Sequence, residues 1–375
     1  MKLLVFSPYY PPHMGGLESH SAEFNQELVK LGYEVLVFTP NIPPTKGLET
    51  LNGIRIIRYP AFEIISNYPL PKFWTPLFWQ QLQTLKSFQP DILITRTRFF
   101  FLSFIGLLFA KIHHIRHVHI EHGSDFVKLT NPLSSLLAKL YDHTFGKIVF
   151  HFSDINISIS KAVHAFVMKF DTRFSPIIYR GLDFNQLDSI KPQDLALPED
   201  KLIIMTAARL YKWKGIENTL KALREIPEET REKILFVLVG DGEDFERLKK
   251  LSVDLPVLLV GKKSREETLT LMKRADIYIH SSLPGGGLST SLLEAMYSSC
   301  AIISTPHEGA DEVIIDGKNG IIQKDTDTDF TAAIHDLVSN GGKRLAFATS
   351  AKKTILEKFS WSTSGAQYQK IFQSL

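Results

Sequence analysis

The stretch at residues 281–320, SSLPGGGLSTSLLEAMYSSCAIISTPHEGADEVIIDGKNG, follows the predicted strand ADIYIHSS. It passes through Gly285, Gly286 and Gly287 and then enters a helix that carries one carboxylate, Glu294. Backbone N–H groups of a glycine-rich strand-to-helix turn can approach an anion closely, and the helix N-terminus adds partial positive charge. A carboxylate two turns into that helix can accept hydrogen bonds from sugar hydroxyls. The residues suit a nucleotide diphosphate, and a tight turn before a helix with an exposed glutamate is the structural alternative.

The composition indicates a folded globular chain of about two domains. With 375 residues, 44% of them hydrophobic and 22% charged, the chain is too long for one typical core and too apolar to be disordered. A net charge of +3 is too small to indicate nucleic acid binding, but it is compatible with an anionic substrate or membrane surface. The single cysteine, Cys300, lies in the apolar context SSCAIIST and is predicted to pack in a core.

Two successive sets of strands and helices alternate along the chain. The apolar run LLVFSP at 3–8 is predicted to be a buried strand rather than part of a signal peptide, and a glycine loop and a helix lead from it to the strand YEVLVFTP. The stretch IIYRGLD at 177–183 is predicted to be a short strand, and the polar residues 184–200 a linker. Alternation restarts with KLIIMTAARL, KILFVLVGDGED and PVLLVGK. The pattern predicts two doubly wound α/β domains with a cleft between their sheet edges.

Two apolar segments leave a choice between core packing and a membrane surface. The run FFFLSFIGLLFA at 99–110 is shorter than the ~18 residues of a spanning helix, so it is predicted to be a core helix, with a helix lying in the lipid interface as the alternative. Residues 41–76 are irregular and rich in proline and aromatic residues. The amphipathic segment at the end of this region either packs on its own domain or rests on lipid headgroups. Its side chains are Lys72, Trp74, Phe78 and Trp79.

The histidine and aspartate clusters do not predict a metal site. His117 and His119 share a face of one predicted strand, but no carboxylate at ligand spacing accompanies them. A single histidine beyond this strand, His122, is predicted to face the cleft. The run DTDTD at 325–329 directly precedes a helix and is predicted to cap it. The stretch GDGED at 240–244 is predicted to be a turn before a helix rather than a set of Mg²⁺ ligands.

Two cations lie close together in the segment ARLYKWKG. Arg209 ends a predicted strand and Lys214 comes just before a helix, so both side chains can point at one place beyond the sheet. Two cations there could bind a diphosphate and stabilise it as a leaving group. A pair of solvated loop charges is the alternative. The glycine-rich turn in the same half favours the diphosphate, because both features lie at carboxyl ends of strands.

Together these segments resemble the GT-B fold glycosyltransferases of family 4 (glycosyl transferases group 1), the retaining group that uses nucleotide sugars. The resemblance covers nearly the whole chain and depends on the order and spacing of several short motifs. It implies an N-terminal Rossmann-like domain at 1–183 for the acceptor, a C-terminal one at 184–358 for the nucleotide sugar, and a helix at 359–375 that returns to the first domain. The motifs are GGLESH, EHGSD, NISIS followed by Lys161, RGLD, AARLYKWKG, GDGED, and SLLEAM through GADEVIIDGKNG.

The resemblance also implies roles for individual residues. Arg209 and Lys214 match the diphosphate clamp of the family, and Glu294 matches the glutamate that binds the ribose. His122 matches the histidine near the reaction centre, so the implied catalytic set is His122 with the two cations. The other residues implied to bind the donor are Gly15, Gly16, Gly240, Gly285, Gly286, Gly287, Leu288 and Ser289. The residues implied on the acceptor side are His20 and Asp125.

The family's chemistry completes the expectation. Its members transfer a sugar with retention, need no essential metal or cofactor, and lack a proven enzymic nucleophile. The implied protein is a hexosyltransferase that uses a UDP- or GDP-linked sugar and a glycan or lipid-linked acceptor. It is expected in the cytoplasm, with peripheral contact between its N-terminal domain and the inner face of the membrane as an open question. Nucleic acid is not an expected partner.

Two positions depart from the family pattern. Gly286 stands where the first of two glutamates is usual, and no carboxylate occurs between residues 281 and 293. Because that glutamate normally contacts the donor sugar, sugar identity and rate stay open. Arg180 in RGLD stands where asparagine is common. The first departure raises a second hypothesis, in which the chain is a catalytically impaired nucleotide- or glycan-binding partner subunit of the same fold.

Overall fold

The computed structural model describes residues 1–13, 15–65, 68–126, 132–190, 197–284, 288–307, 309–323 and 330–375. The chain divides into two compact units. Unit 1 comprises Met1–Gly181 and Trp361–Leu375, and unit 2 comprises Leu182–Ser360. The predicted domain boundaries at 183 and 358 lie next to these divisions.

A seven-stranded sheet forms the centre of unit 1 within the described residues, in the order β3-β4-β2-β1-β7-β8-β9. Its strands are parallel except for β3, which pairs antiparallel with β4. Two further strands, β5 and β6, form a separate antiparallel pair. The strands are β1 (Lys2–Phe6), β2 (Glu34–Pro40), β3 (Leu48–Leu51), β4 (Ile54–Tyr59), β5 (Ala61–Ile65), β6 (Tyr68–Pro71), β7 (Ile92–Arg96), β8 (Arg116–Glu121) and β9 (Ile155–Ser158).

Helices cover both faces of this sheet, which explains why its central strands are apolar without alternation. Leu3 and Val5 of β1 pack in one core with Phe24, whereas Leu4 and Phe6 face the opposite core. The period of two along the strand therefore divides a continuous apolar run between two helical layers. The helices of this part of the chain are α1 (Gly16–Lys30), α2 (Pro76–Ser87), α3 (Phe101–Ile112), α4 (Pro132–Tyr141), α5 (Lys147–Phe152) and α6 (Lys161–Val167).

Some local predictions for unit 1 were wrong. The supposedly irregular residues 41–76 contain β3 to β6. The amphipathic character of the segment was predicted correctly, since Phe78 is 1% exposed and packs in the core whereas Trp74 and Trp79 are exposed. Residues 177–183 make only isolated bridges rather than a strand. A π-helical turn at Asp142–Gly146 connects α4 to α5.

Unit 2 contains a six-stranded parallel sheet within the described residues, in the order β12-β11-β10-β13-β14-β15. Its strands are β10 (Leu202–Ala207), β11 (Ile234–Val239), β12 (Val257–Gly261), β13 (Ile277–His280), β14 (Ala301–Ser304) and β15 (Ile321–Ile322). Its helices are α7 (Phe184–Ser189), α8 (Ile216–Glu225), α9 (Glu228–Arg231), α10 (Phe245–Leu251), α11 (Arg265–Arg274), α12 (Thr290–Tyr297), α13 (Ala310–Val313), α14 (Thr331–Ser339) and α15 (Gly341–Lys358).

Three differences from prediction lie in unit 2. The predicted linker at 184–200 begins with α7, capped by the Asp183 side chain. The helix predicted to follow the run at 325–329 is succeeded by a second one, because Asn340 ends α14 and its side chain accepts a hydrogen bond from Lys343 N at the start of α15. The predicted capping run at 325–329 lies outside the described residues. Cys300 is fully buried, as predicted.

The last helix, α16 (Trp361–Ser374), belongs to unit 1 and packs on α1. The ring of Tyr368 meets Phe24 edge-on at 4.6 Å between centroids. A Cβ on Gly365 would lie 3.0 Å from Glu27 Cγ, so a residue without a side chain allows this close approach. In the part of the chain that the structure describes, no helix combines the length and apolar character needed to cross a bilayer.

Candidate functional site

The sheet of unit 2 reverses its winding between β10 and β13. Open α/β sheets bind ligands at such a switch point, beyond the carboxyl ends of the strands. Arg209 follows β10 and Lys214 ends the 3₁₀ turn that precedes α8. Ser281 and Ser282 follow β13, and the chain then passes to α12. The two predicted cations therefore emerge at the switch point.

The segment that carries Lys214 is fixed to the chain that follows β13. Ser281 Oγ donates to the Lys214 carbonyl at 2.8 Å, and Lys214 Nζ donates to Ser282 Oγ at 3.4 Å. Gly215 has φ 64°, and a Cβ there would lie 2.1 Å from the Ser281 carbonyl oxygen. Glycine is thus required for this approach. The Lys214 ammonium also lies 4.2 Å from the Trp213 ring centroid, in cation–π geometry.

Arg209 is exposed, with its guanidinium 5.7 Å from the Tyr211 ring centroid. The backbone beside it is rigid because the turn at 240–242 packs against it. Gly240 has φ 138°, and a Cβ there would lie 1.8 Å from the Ala208 carbonyl oxygen. Gly240 therefore packs against the backbone of Ala208, the residue before Arg209.

Glu294 lies on α12 and is 6% exposed, rather than exposed as the structural alternative required. Its Oε1 accepts hydrogen bonds from Arg265 Nε at 3.2 Å and Arg265 Nη2 at 2.9 Å. Arg265 Nη1 donates to Gln186 Oε1 at 3.0 Å. The sequence analysis missed Arg265, which begins α11 and stands 29 residues before its partner. No local signal connects the two, since the contact depends on the packing of α11 against α12.

The start of α12 is rich in hydroxyl groups. Ser289 Oγ lies 3.2 Å from Ser291 Oγ, and both residues border a small depression that Lys214, Ser281 and Ser282 also line. Hydroxyl and ammonium groups beside a helix start are suited to phosphate oxygens. Leu288 is buried and packs on the left-handed turn that precedes α13. The remaining predicted members of this turn, Gly285, Gly286 and Gly287, lie outside the described residues.

The sheet of unit 1 reverses between β1 and β7, and its predicted residues lie at that reversal. Gly15 and Gly16 begin α1, which follows β1. A Cβ on Gly15 would lie 2.3 Å from Glu18 Oε2, and Glu18 Oε1 is 2.7 Å from His13 Nδ1. A Cβ on Gly16 would meet nothing within 4 Å. The first glycine is therefore constrained by its surroundings, and the second is not.

His20 and His122 come together in unit 1. Their ring centroids are 4.8 Å apart, and the His20 centroid is 5.3 Å from that of Trp361. Arg96, the last residue of β7, donates from Nη1 to His20 Nδ1 at 2.9 Å. Burial, with Arg96 nearby, lowers the pKa of His122 to about 3, and burial together with His122 and Arg96 lowers the pKa of His20 well below its ordinary value. Both rings are therefore neutral near pH 7.

The loop that carries His122 is anchored by Glu121, which the sequence analysis did not single out. The Glu121 carboxylate accepts hydrogen bonds from the backbone N–H groups of His122 at 2.9 Å and Gly123 at 2.6 Å. It also accepts one from Arg98 Nη1 at 3.1 Å, and Arg98 Nη2 donates to the Asp125 carbonyl at 2.9 Å. Burial alone would raise the pKa of Glu121, but the Arg98 guanidinium and His119 hold it well below its ordinary value.

The other histidines of this region have structural partners. Nitrogens of His117 and His119 lie 2.9 Å and 2.8 Å from Thr95 Oγ1, so the two rings do share a strand face. Among the described residues, no group of three or more His, Cys, Asp or Glu side chains could hold a metal ion. Arg180, the second departure from the family pattern, donates to Glu23 Oε2 at 2.9 Å.

Comparison with known proteins identifies the family. The Glycosyltransferase Family 4 model matches residues 14–186, and the Glycosyl transferases group 1 model matches residues 188–354. An uncharacterized glycosyltransferase of Methanocaldococcus jannaschii is 43% identical over 388 positions, which cover 100% of this chain and 99% of the relative. The phosphatidylinositol N-acetylglucosaminyltransferase GPI3 subunit of Saccharomyces cerevisiae is 22% identical over 392 positions, covering 100% and 83%.

The solved structures agree on the fold. Anabaena HepE in complex with UDP and glucose superposes with a TM-score of 0.76 at 18% identity, with 100% of both chains covered. The predicted family and the predicted pair of doubly wound Rossmann-like domains are thus both confirmed. The chain belongs to the glycosyltransferases of family 4, group 1, and has the GT-B fold.

Proposed function

We propose that the protein transfers a hexose, with retention of anomeric configuration, from a UDP- or GDP-linked sugar to a glycan or lipid-linked acceptor. Unit 2 binds the donor and unit 1 the acceptor. The observation that carries the proposal is the arrangement at the unit 2 switch point, where Lys214 is fixed beside the hydroxyl-rich start of α12 and Glu294 is held by Arg265. Arg209 and Lys214 bind the diphosphate, and Glu294 binds the ribose.

The proposed reaction needs no protein nucleophile, metal or cofactor. The bond between the sugar C1 and the diphosphate oxygen breaks, and a bond from C1 to the acceptor oxygen forms on the same face. The acceptor proton passes to the departing diphosphate. Arg209 and Lys214 stabilise the negative charge that develops on that diphosphate, which is where fixed cations accelerate a reaction most. His122, held neutral by burial, contacts the sugar at the reaction centre.

Thermal stabilisation by UDP-, GDP- and ADP-sugars tests donor binding first. A ligand at 100 times its dissociation constant adds about 2.7 kcal/mol to the free energy of unfolding, which is readily measured as a rise in Tm. The UDP bound to the HepE structure makes UDP-sugars the first choice. Arg209→Gln should abolish the stabilisation, whereas Arg231→Gln, an arginine elsewhere in unit 2, should not. Stabilisation by no nucleotide sugar would contradict the proposal, and NMR of the product anomer tests retention.

A second candidate function is a nucleotide- or glycan-binding partner subunit with impaired catalysis. The glycine at 286 favours it, because a backbone without a carboxylate cannot make the usual contact with the donor sugar. The yeast relative is itself described as a subunit. Tight binding of a nucleotide without turnover of any nucleotide sugar would support this candidate, and product formation would exclude it.

We also propose that unit 1 contacts the cytoplasmic face of an anionic membrane. Leu136, Leu137 and Leu140 are each more than half exposed on α4, and Lys139 lies among them. Apolar side chains with an interspersed lysine suit a headgroup layer. The double substitution Leu136→Glu with Leu137→Glu should abolish co-sedimentation with phosphatidylglycerol vesicles, whereas Leu345→Glu, an equally exposed leucine of unit 2, should not. Equal vesicle binding by the wild-type chain, the double variant and Leu345→Glu would contradict the proposal.

A further inference from the structure

Four arginines of unit 1 are buried, and one of them differs from the others. Arg58 donates to Glu49, Arg98 to Glu121 and Asp142, and Arg180 to Glu23. Arg96 is 0% exposed and makes no ion pair with any carboxylate of the described residues. A buried charge without a counterion is costly, and proteins keep few of them without a functional reason. The buried arginines are Arg58, Arg96, Arg98 and Arg180.

The contacts of Arg96 use only part of its guanidinium. Nη1 donates to His20 Nδ1 at 2.9 Å, and the Phe24 ring lies under the group at 4.6 Å from its centroid. Nε and Nη2 are buried and have no hydrogen-bond partner among the described residues. These two nitrogens lie on one edge of a planar fork, the edge that binds two oxygens of a carboxylate or phosphate. The unused edge of Arg96 is therefore suited to an oxyanion.

A second unpartnered group lies beside it. His122 Nε2 is buried and likewise has no hydrogen-bond partner in the described part of the chain. His122 is in ring contact with His20, which holds Arg96. Arg96 ends β7 and His122 follows β8, so both lie next to the unit 1 switch point. Two orphaned polar groups at the expected ligand position of the sheet indicate one shared ligand.

We propose that Arg96 and His122, with His20 behind them, form an anion subsite in unit 1 that takes a phosphate group. This inference rests on the proposed function, because it assigns the phosphate to one of the two substrates of the transfer. The phosphate is either part of the nucleotide diphosphate or a phosphate of the acceptor. His20 is a positioning residue, since its Nδ1 fixes the rotation of the guanidinium. The subsite requires no contribution from Arg98, whose Nη1 and Nη2 already bond to Glu121 and Asp142.

Histidine NMR reads the subsite directly. With ¹³C-labelled histidine, the ring signals of His20 and His122, assigned through single His→Gln variants, are followed while inorganic phosphate is added. The signals should shift and saturate in the wild-type chain. In Arg96→Gln the apparent affinity should fall about 10- to 100-fold, the effect of losing hydrogen bonds from a charged donor. Arg116→Gln, an exposed arginine at the opposite end of β8, should titrate like wild type.

Two results would overturn the subsite. One is the absence of any phosphate-dependent shift of His20 and His122 in the wild-type chain. The other is an unchanged titration in Arg96→Gln, when circular dichroism shows that this variant is folded. Arg96→Lys, which keeps the charge but loses the fork, serves as a second variant and should recover only part of the affinity.

Titration with UDP identifies which substrate supplies the phosphate. If UDP shifts His20 and His122 only when Arg96 is present, the donor supplies it, and Arg96→Gln should raise the KM for the donor. If UDP binds without shifting these signals while inorganic phosphate shifts them, the acceptor supplies it, and the KM for the acceptor should rise instead. Failure of the proposed function has a different signature: phosphate would still shift His20 and His122 in an Arg96-dependent way, but no nucleotide sugar would stabilise the chain or be turned over.

Discussion

Replacing Arg96 and Arg98 separately by methionine is expected to change the stability of unit 1 in opposite directions. The two arginines stand two positions apart at the end of β7, and each is at most 1% exposed. Arg98 neutralises two buried carboxylates, Glu121 and Asp142, each at 3.1 Å. Arg96 neutralises none among the described residues and bonds instead to the neutral ring of His20. The same substitution therefore removes a paired charge at one position and an unpaired charge at the other.

The expected magnitudes follow from these contacts. Arg98→Met leaves two carboxylates buried without their cation, and breaking a buried pair in this way costs about 3–5 kcal/mol. Burial lowers the pKa of Arg96 to about 10, and this displacement from 12.5 corresponds to roughly 3 kcal/mol of destabilisation by its charge. Losing the bond to His20 and the contact with Phe24 costs about 1 kcal/mol each. Arg96→Met should therefore stabilise unit 1 by about 1 kcal/mol.

Hydrogen exchange of the β7 amides, read by mass spectrometry, measures the opening free energy of unit 1 separately from that of unit 2. Protection should fall in Arg98→Met and rise in Arg96→Met. Arg116→Met, at an exposed position, should change the free energy by no more than about 0.5 kcal/mol. Equal destabilisation by the Arg96 and Arg98 substitutions would refute the view that Arg96 is an uncompensated charge.

Three further outcomes are expected. Gly240→Ala should lower the urea midpoint of unit 2 by the equivalent of about 1–3 kcal/mol, because φ is 138° and the new Cβ would lie 1.8 Å from the Ala208 carbonyl oxygen. Arg265→Gln should raise the KM for the donor roughly 10-fold while leaving the fold intact, since it removes the charged donor that orients Glu294; an unchanged KM would separate Glu294 from donor binding. Burial lowers the pKa of His122 to about 3, so the unfolded chain binds more protons below pH 6.5. The contribution of this ring to the free energy of unfolding should be complete above pH 6.5 and should fall as the pH decreases toward 3. In His122→Gln, this part of the pH dependence of the free energy of unfolding should disappear.

The strand-and-helix order of both units could be predicted because parallel strands buried on both faces leave long apolar runs. LLVFSP covers all of β1 except Lys2, KLIIMTA contains β10, and each run is followed by a turn and a helix. The strands β3 to β6 were missed because β3 lies at the sheet edge, β4 is next to it, and β5 and β6 form a separate pair, so that proline and exposed side chains interrupt the apolar pattern. The helix predicted at 99–110 was found as α3 because its apolar run is as long as the helix itself.

The partners of the predicted site residues could not be read from the sequence. Glu121 was visible only as the first letter of EHGSD, yet its carboxylate receives three backbone N–H groups and the Arg98 side chain. Arg98 and Glu121 are 23 residues apart and Arg265 and Glu294 are 29 apart, on different elements in both pairs. Periodicity describes one element at a time, so contacts between elements remain invisible to it.

Charge pairing at the two switch points follows one rule when each unit is considered by itself. In unit 2, the Glu294 carboxylate is paired with Arg265. In unit 1, Glu121 is matched by Arg98, so the charge of Arg96 is not cancelled by it. In each unit, an arginine from a different element therefore holds a buried carboxylate next to the switch point.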